Sequence, residues 1–286
     1  MGKRILLFVI TNLLVVATIT IILSILGVDR YSGVNGLAVF CFVWGMGGAF
    51  ISLAISRFTA KRAMGVQLVD GHTGHEELDW LHATVARLTQ QANLPLPEIG
   101  FYESPEVNAF ATGPSKNRSL VAVSSGLLRT MRRDEVEGVL AHEIAHIANG
   151  DMVTMTLLQG IINAFVMFLA RLIVTAMRSG SRDNRGSMSD FFLVMALQTV
   201  LGILGSFVTA WFSRQREFRA DYGGAQLAGR PNMIAALRRL AANRELVDTQ
   251  HTALATFKIS GARSWMTLLS THPPLEERIA ALERLQ

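Results

Sequence analysis

His142-Glu143-Ile144-Ala145-His146 is the stretch on which the reading of this chain turns. It has the form H-E-x-x-H and closes a segment with helical periodicity. Residues four apart share one helix face, so His142 and His146 can offer two imidazole nitrogens to one metal ion. Glu143 follows the first histidine and can reach a water beside that ion. These are the parts of a zinc-dependent hydrolase. The pattern also arises by chance on helix surfaces, so its surroundings decide.

Half of the 286 residues are apolar, more than a soluble core of this size needs. The excess falls in four runs, residues 5–28, 34–56, 155–177 and 191–213. Each is about the length that crosses a ~30 Å hydrocarbon core at ~1.5 Å per residue. No small-residue cleavage site follows the first run, so it reads as retained. Lys3 and Arg4 precede it, and Arg57, Lys61 and Arg62 follow the second; the positive-inside rule puts both flanks in the cytoplasm. Arg178, Arg182 and Arg185 between the last two runs weaken the same rule there. Whether that second pair crosses fully, or is buried in protein, stays open. The balance of 27 basic to 22 acidic residues is no nucleic-acid signature. The single cysteine, Cys41, lies in an apolar run, so neither an intrachain disulfide nor a cysteine-ligated zinc site is available.

Between and after the runs the chain turns aqueous. A short strand is expected at 64–69, before a Gly-His-Thr-Gly turn. Leu78, Leu81, Val85 and Leu88 give a helix over 76–92. Strands are expected at 98–102, 109–111 and 119–123. Residues 133–149 read as a helix with Asp134 at its N-cap. Further helices are expected at 216–227, 232–244 and 275–285. Residues 178–190 form a polar joint. Gly45 with Ala49, and Gly202 with Ser206, offer small faces for close helix packing.

Catalytic zinc takes three protein ligands and keeps one position for water. Glu217 and Asp221 share a helix face, Glu217 as ligand and Asp221 behind a ligand histidine. A solvated charged face beside Arg214, Arg216 and Arg219 explains the same pattern, and spacing alone does not select Glu217 over Asp221, His251 or His272. His72, His75 and His82 have no partner at ligand spacing.

Three blocks in order narrow the choice. They are His142 to Asp151 (HEIAHIANGD), Ser213 to Asp221 (SRQREFRAD) and Thr271-His272-Pro273-Pro274. Together with the placement of the apolar runs, they resemble the HtpX-like membrane zinc metalloproteases, bacterial quality-control peptidases distantly similar to the CAAX prenyl proteases. The resemblance covers essentially the whole chain. It implies one Zn2+ per chain held by His142, His146 and Glu217, with Glu143 as base and Asp221 and Asn149 behind the ligands. It also implies a substrate strand at Asn108, Ala109, Phe110 and Ala111. Glu143 would take a proton from water and hand it to the leaving amine; His272 is the candidate donor to the developing oxyanion. Arg132, Arg133, Asp134, Glu135 and Glu137 before the motif favour an aqueous site over one inside the bilayer. A structural zinc would want four protein ligands.

The expected architecture is a mainly α membrane protein with four hydrophobic helices and an α+β zincin-like catalytic domain. Its parts are a transmembrane hairpin (1–57), a first catalytic part (58–151), a second hydrophobic hairpin (152–213) and a second catalytic part (214–286). The expected setting is the bacterial inner membrane, with the site facing the cytoplasm. The bilayer and misfolded membrane proteins are the expected partners, and nucleic acid is not.

Overall fold

Helix α1 (Val34–Met64) carries the second apolar run and continues beyond it. The computed structural model describes residues 34–178, 188–250 and 270–284; the first apolar run, most of the polar joint and His251 fall outside them. Gly65 ends α1 with φ 63, and Val66 N–H returns to Lys61 O at 3.0 Å, a glycine C-terminal cap. Met64 is therefore still helical, and the strand expected from it shrinks to β1 (Gln67–Leu68).

There follow α2 (Glu76–Gln91), β2 (Glu98–Tyr102), β3 (Ala109–Ser115), β4 (Arg118–Ser124) and α3 (Ser125–Thr130). The sheet order is β1-β2-β4-β3. β2 and β4 run parallel, and the other pairs are antiparallel. β4 is buried on both faces, which is why its sequence is a near-continuous apolar run. On one face Val121 and Val123 meet Leu81, Val85 and Leu88 of α2. On the other, Leu120 and Ala122 meet Tyr102, Phe110 and Ala60 of α1.

Helix α4 (Arg133–Asn149) closes the first of these cores with Val136, Leu140, Ile144 and Ile147. Its N-cap is Arg132, not Asp134. The Arg132 N–H donates to the Glu135 carboxylate at 2.8 Å, half of a capping box. Asp134 sits in the first turn and pairs with the Arg132 guanidinium at 2.9 Å. The helix has the expected bounds, and the cap falls on Arg132 because the carboxylate three residues on satisfies its orphan N–H.

Helices α5 (Asp151–Arg178) and α6 (Met188–Ala228) carry the third and fourth apolar runs. α6 fuses 191–213 with the helix expected at 216–227. Polarity changes near Ser213, but no proline breaks the register before Pro231. Gly229, at φ 88, ends α6, and Pro231 falls in the first turn of α7 (Arg230–Gln250). Helix α8 (Leu275–Glu283) is last. α1, α5 and α6 are each long and apolar enough to cross a membrane. Only 6% of the apolar window of α6 is buried among the described residues. Exposed side chains such as Phe192, Val200 and Leu204 suit hydrocarbon better than water.

The fold is mainly helical, with one small mixed sheet, and groups into two units. The first takes the described chain up to Phe50 and Leu157–Ser206. There, a Cβ on Gly45 would lie 2.6 Å from Ala164 N, so only glycine permits that approach. Gly202, expected to act similarly, has nothing within 4 Å. The second unit takes Ile51–Thr156 and the described chain from Phe207 on, and so contains the sheet, α4 and α8.

Gly138 sets the spacing of α4 and α7. A Cβ there would lie 2.6 Å from Asn232 O and 2.9 Å from Ala236 Cβ. Gly138→Val should therefore destabilise by about 1–3 kcal/mol through overpacking. The detergent-purified protein would melt several degrees lower; an unchanged melting temperature would disprove the close approach.

Candidate metal centre

One face of α4 puts His142 and His146 side by side. The alternate face, carrying Leu140, Ile144 and Ile147, is pinned in the core, so the ring positions are fixed by packing one turn apart. Their Nε2 atoms lie 3.1 Å from each other. Glu217, from the polar end of α6, brings Oε2 to 3.5 Å from His142 Nε2 and Oε1 to 3.4 Å from His146 Nε2. All three residues are buried. They are the one such ligand-spaced group among the described residues.

Two observations test whether a cation fits. Ligand atoms on a tetrahedron with ~2.0–2.1 Å bonds stand about 3.3 Å apart, and these three spacings bracket that value. Glu217 is also fully buried, and among the described residues its oxygens are faced by imidazole nitrogens, of which His272 Nδ1 comes nearest at 2.8 Å, and by Arg278 Nη1 at 3.4 Å. A fully buried carboxylate is costly unless positive charge answers it. The donor set and spacing fit a divalent metal.

Each imidazole is held from behind. His142 Nδ1 lies 2.9 Å from Asp221 Oδ1, and His146 Nδ1 lies 2.6 Å from Asp151 Oδ2. An aspartate on Nδ1 calls for Nδ1–H, which leaves the Nε2 lone pair aimed at the ligand group. Arg278 of α8, itself buried, donates from Nε to Asp221 Oδ2 at 2.7 Å and from Nη2 to Oδ1 at 2.5 Å. Its Nη1 lies 3.4 Å from Glu217 Oε2. Burial opposes charge on both imidazoles, but the carboxylates outweigh it. Asp221 and Glu217 raise the pKa of His142, and Asp151 and Glu217 raise that of His146 to about 9. Burial likewise works against Arg278, and Asp221 reverses it, leaving its pKa raised.

Glu143 is half-buried beside His142 and lies close enough to His146 and Arg278 to act on both electrostatically. His272 reaches the same cluster from an exposed position (61%), with Nδ1 2.8 Å from Glu217 Oε2. Asn149 is different: it is exposed at the end of α4, and the inward carboxylate belongs to Asp151. β3 forms one edge of the sheet and packs on α4 through Ala109 and Ala111. Asn108 O accepts from Ser124 N at 3.0 Å. Given the antiparallel alternation and register, the main-chain groups of Ala109 and Ala111 point off the free edge.

Sequence reasoning gave Asp151 and Arg278 no role. For Asp151 the available signal was a carboxylate directly after a glycine helix stop. For Arg278, 57 residues from Asp221, local pattern carried none.

Two histidines one turn apart, a glutamate beside the first and a carboxylate from a second helix are the apparatus of a metallopeptidase. Residues 75–286 match the family described as "Peptidase family M48", and the chain belongs to that family of metal-dependent peptidases. Relatives named "Protease HtpX" match end to end. That of Idiomarina loihiensis is 53% identical over 99% of both chains. That of Aeromonas hydrophila is 49% identical, and that of Shewanella oneidensis 51%, each over 98% of this chain and 99% of its own. The crystal structure of S. mikatae Ste24p shares the fold, with a TM-score of 0.64 at 20% identity. The alignment covers 98% of this chain and 65% of Ste24p. The chain is a metalloprotease.

Arg278→Met would strand the buried Asp221 carboxylate and should destabilise the protein by about 3–5 kcal/mol. Unfolding of the single variant and of Arg278→Met/Asp221→Leu would show this. Removing both partners should recover much of the loss; a single variant as stable as wild type would refute the buried pairing.

Proposed function

We propose that this metalloprotease is a membrane-bound zinc endopeptidase that cleaves unfolded or misfolded membrane proteins in bacterial proteolytic quality control. Its setting is the inner membrane and its site faces the cytoplasm, in line with the basic residues flanking the apolar runs. The observation that carries the chemistry is the Glu217 carboxylate, fully buried at tetrahedral spacing from two imidazole nitrogens. His142, His146 and Glu217 would hold the ion. Zinc in such a site lowers the pKa of a water toward ~7 and polarises a carbonyl.

The chain's own residues do the rest. Asp221, locked by Arg278, keeps the His142 ring oriented. Glu143 takes a proton from the attacking water and passes it to the leaving amine. His272, exposed at the cluster, donates to the oxygen that gains negative charge. A substrate peptide pairs with the free edge of β3 along Asn108, Ala109, Phe110 and Ala111 by main-chain hydrogen bonds. The outward main-chain groups of Ala109 and Ala111 support that role. The alternation of apolar and aqueous segments supports a catalytic domain in two parts, 58–151 and 214–286, interrupted by the hairpin at 152–213.

Glu143→Gln tests the scheme. The variant should retain zinc at the wild-type ratio and lose casein hydrolysis by roughly a hundredfold to ten-thousandfold. Chelation should silence the wild type. A zinc-loaded variant with full peptidase activity would remove Glu143 as the base.

A further inference from the structure

We propose that Asp151 is the positioning residue for His146, holding the ring so that Nε2 faces the metal; this rests on the reading that His142, His146 and Glu217 hold one. Asp151 is 1% exposed. Its Oδ2 lies 2.6 Å from His146 Nδ1, and its Oδ1 lies 3.6 Å from Arg219 Nη2 on α6. As the first residue of α5, it could have served its own helix by capping the orphan N–H groups there. Both oxygens instead point at side chains on neighbouring helices.

The turn before it makes this possible. α4 ends at Asn149, and Gly150 takes φ 71, a conformation that glycine adopts without strain. Gly150 N–H returns to Ile147 O at 3.0 Å. The chain then enters α5 with Asp151 turned inward, five residues after His146, while Asn149 stays exposed. A Cβ on Gly150 would meet only Lys116 Cε at 3.8 Å, so the glycine is there for its backbone angle and not for space.

The two imidazoles are thus clamped alike. Asp221 holds His142 and is backed by Arg278; Asp151 holds His146 and is approached by Arg219. The aspartates come from different helices, α6 and α5. Losing Asp151 frees the His146 ring to rotate and to carry its proton on Nε2, which cannot then ligate.

Asp151→Asn, Asp151→Glu and wild type would be purified in detergent and titrated with cobalt(II) against a chelator. The d–d spectrum and the melting temperature without metal would be recorded alongside. Positioning predicts a loss of cobalt affinity of about 10–100-fold in Asp151→Asn and shifted d–d bands, in a protein that still melts cooperatively without metal. Asp151→Glu, with the charge one methylene farther out, should fall between. Asp151→Asn folded and binding cobalt with wild-type affinity and spectrum overturns the assignment. Failure of both variants to fold also overturns it, by making Asp151 a residue of the fold. A wild type that binds no cobalt would strike the metal reading itself and is distinguishable from these results.

Discussion

Three buried carboxylates in one place are the constraint on which the catalytic unit depends. Glu217 and Asp221 on α6 and Asp151 on α5 are each at most 1% exposed. Removing such groups from water costs several kcal/mol apiece unless positive charge or donors answer them. Arg278 answers Asp221 fully and Glu217 partly. Arg219 answers Asp151 at longer range. The Glu217 oxygens face the two Nε2 atoms at 3.5 and 3.4 Å, and a divalent cation held there would balance the carboxylate. Apolar residues would have stabilised this region at least as well, so the cluster reflects chemistry more than stability.

That constraint explains why helices so far apart in sequence end where they do. α4 is held by the core through its apolar face, which leaves the histidine face to the site. α6 continues for some fifteen residues beyond its apolar run, at ~1.5 Å rise per residue, and Glu217 and Asp221 lie on that extension. α5 begins at the carboxylate that meets His146. α8 is short and marginal alone, but its Arg278 is buried between two carboxylates and Leu282 packs on Met233 and Leu237. The polar ends of the membrane-length helices α5 and α6 supply Asp151, Glu217 and Asp221 to the site.

How much of this the sequence made legible follows from distance along the chain. His142 and His146 are four residues apart, so helix geometry alone pairs them. The strands at 98–102 and around 109–123 were visible because a buried central strand writes an apolar run. The cap of α4 is hard to place from sequence because an acidic residue at 134 looks like an N-cap, while the working carboxylate is at 135. The strand expected from Met64 is shorter because α1 continues to Met64 and ends only at the αL Gly65. Arg57 and Lys61 look like topology signals, yet both also pair with Glu98 at 3.0 Å and bind α1 to β2. Asp151 faces inward and Asn149 outward because the αL glycine between them reverses the chain. Arg278 depends on a contact with residues 57 and 136 positions away, and no local pattern encodes that.

The same fields that favour a metal also favour protons. The pKa of His146 is raised to about 9, after burial is outweighed by Asp151 and Glu217. A raised imidazole pKa stabilises the fold fully below the unfolded value of ~6.5, and that contribution fades as pH rises through about 9. A metal ion needs the imidazole neutral, so it must displace protons to bind. Between these limits protons and metal compete for one cluster of charge. The aspartates decide the outcome in part, because an aspartate on Nδ1 keeps the proton on the far nitrogen and leaves Nε2 open. Ring orientation and charge balance are therefore one design problem, met by Asp221 with Arg278 on one side and by Asp151 on the other.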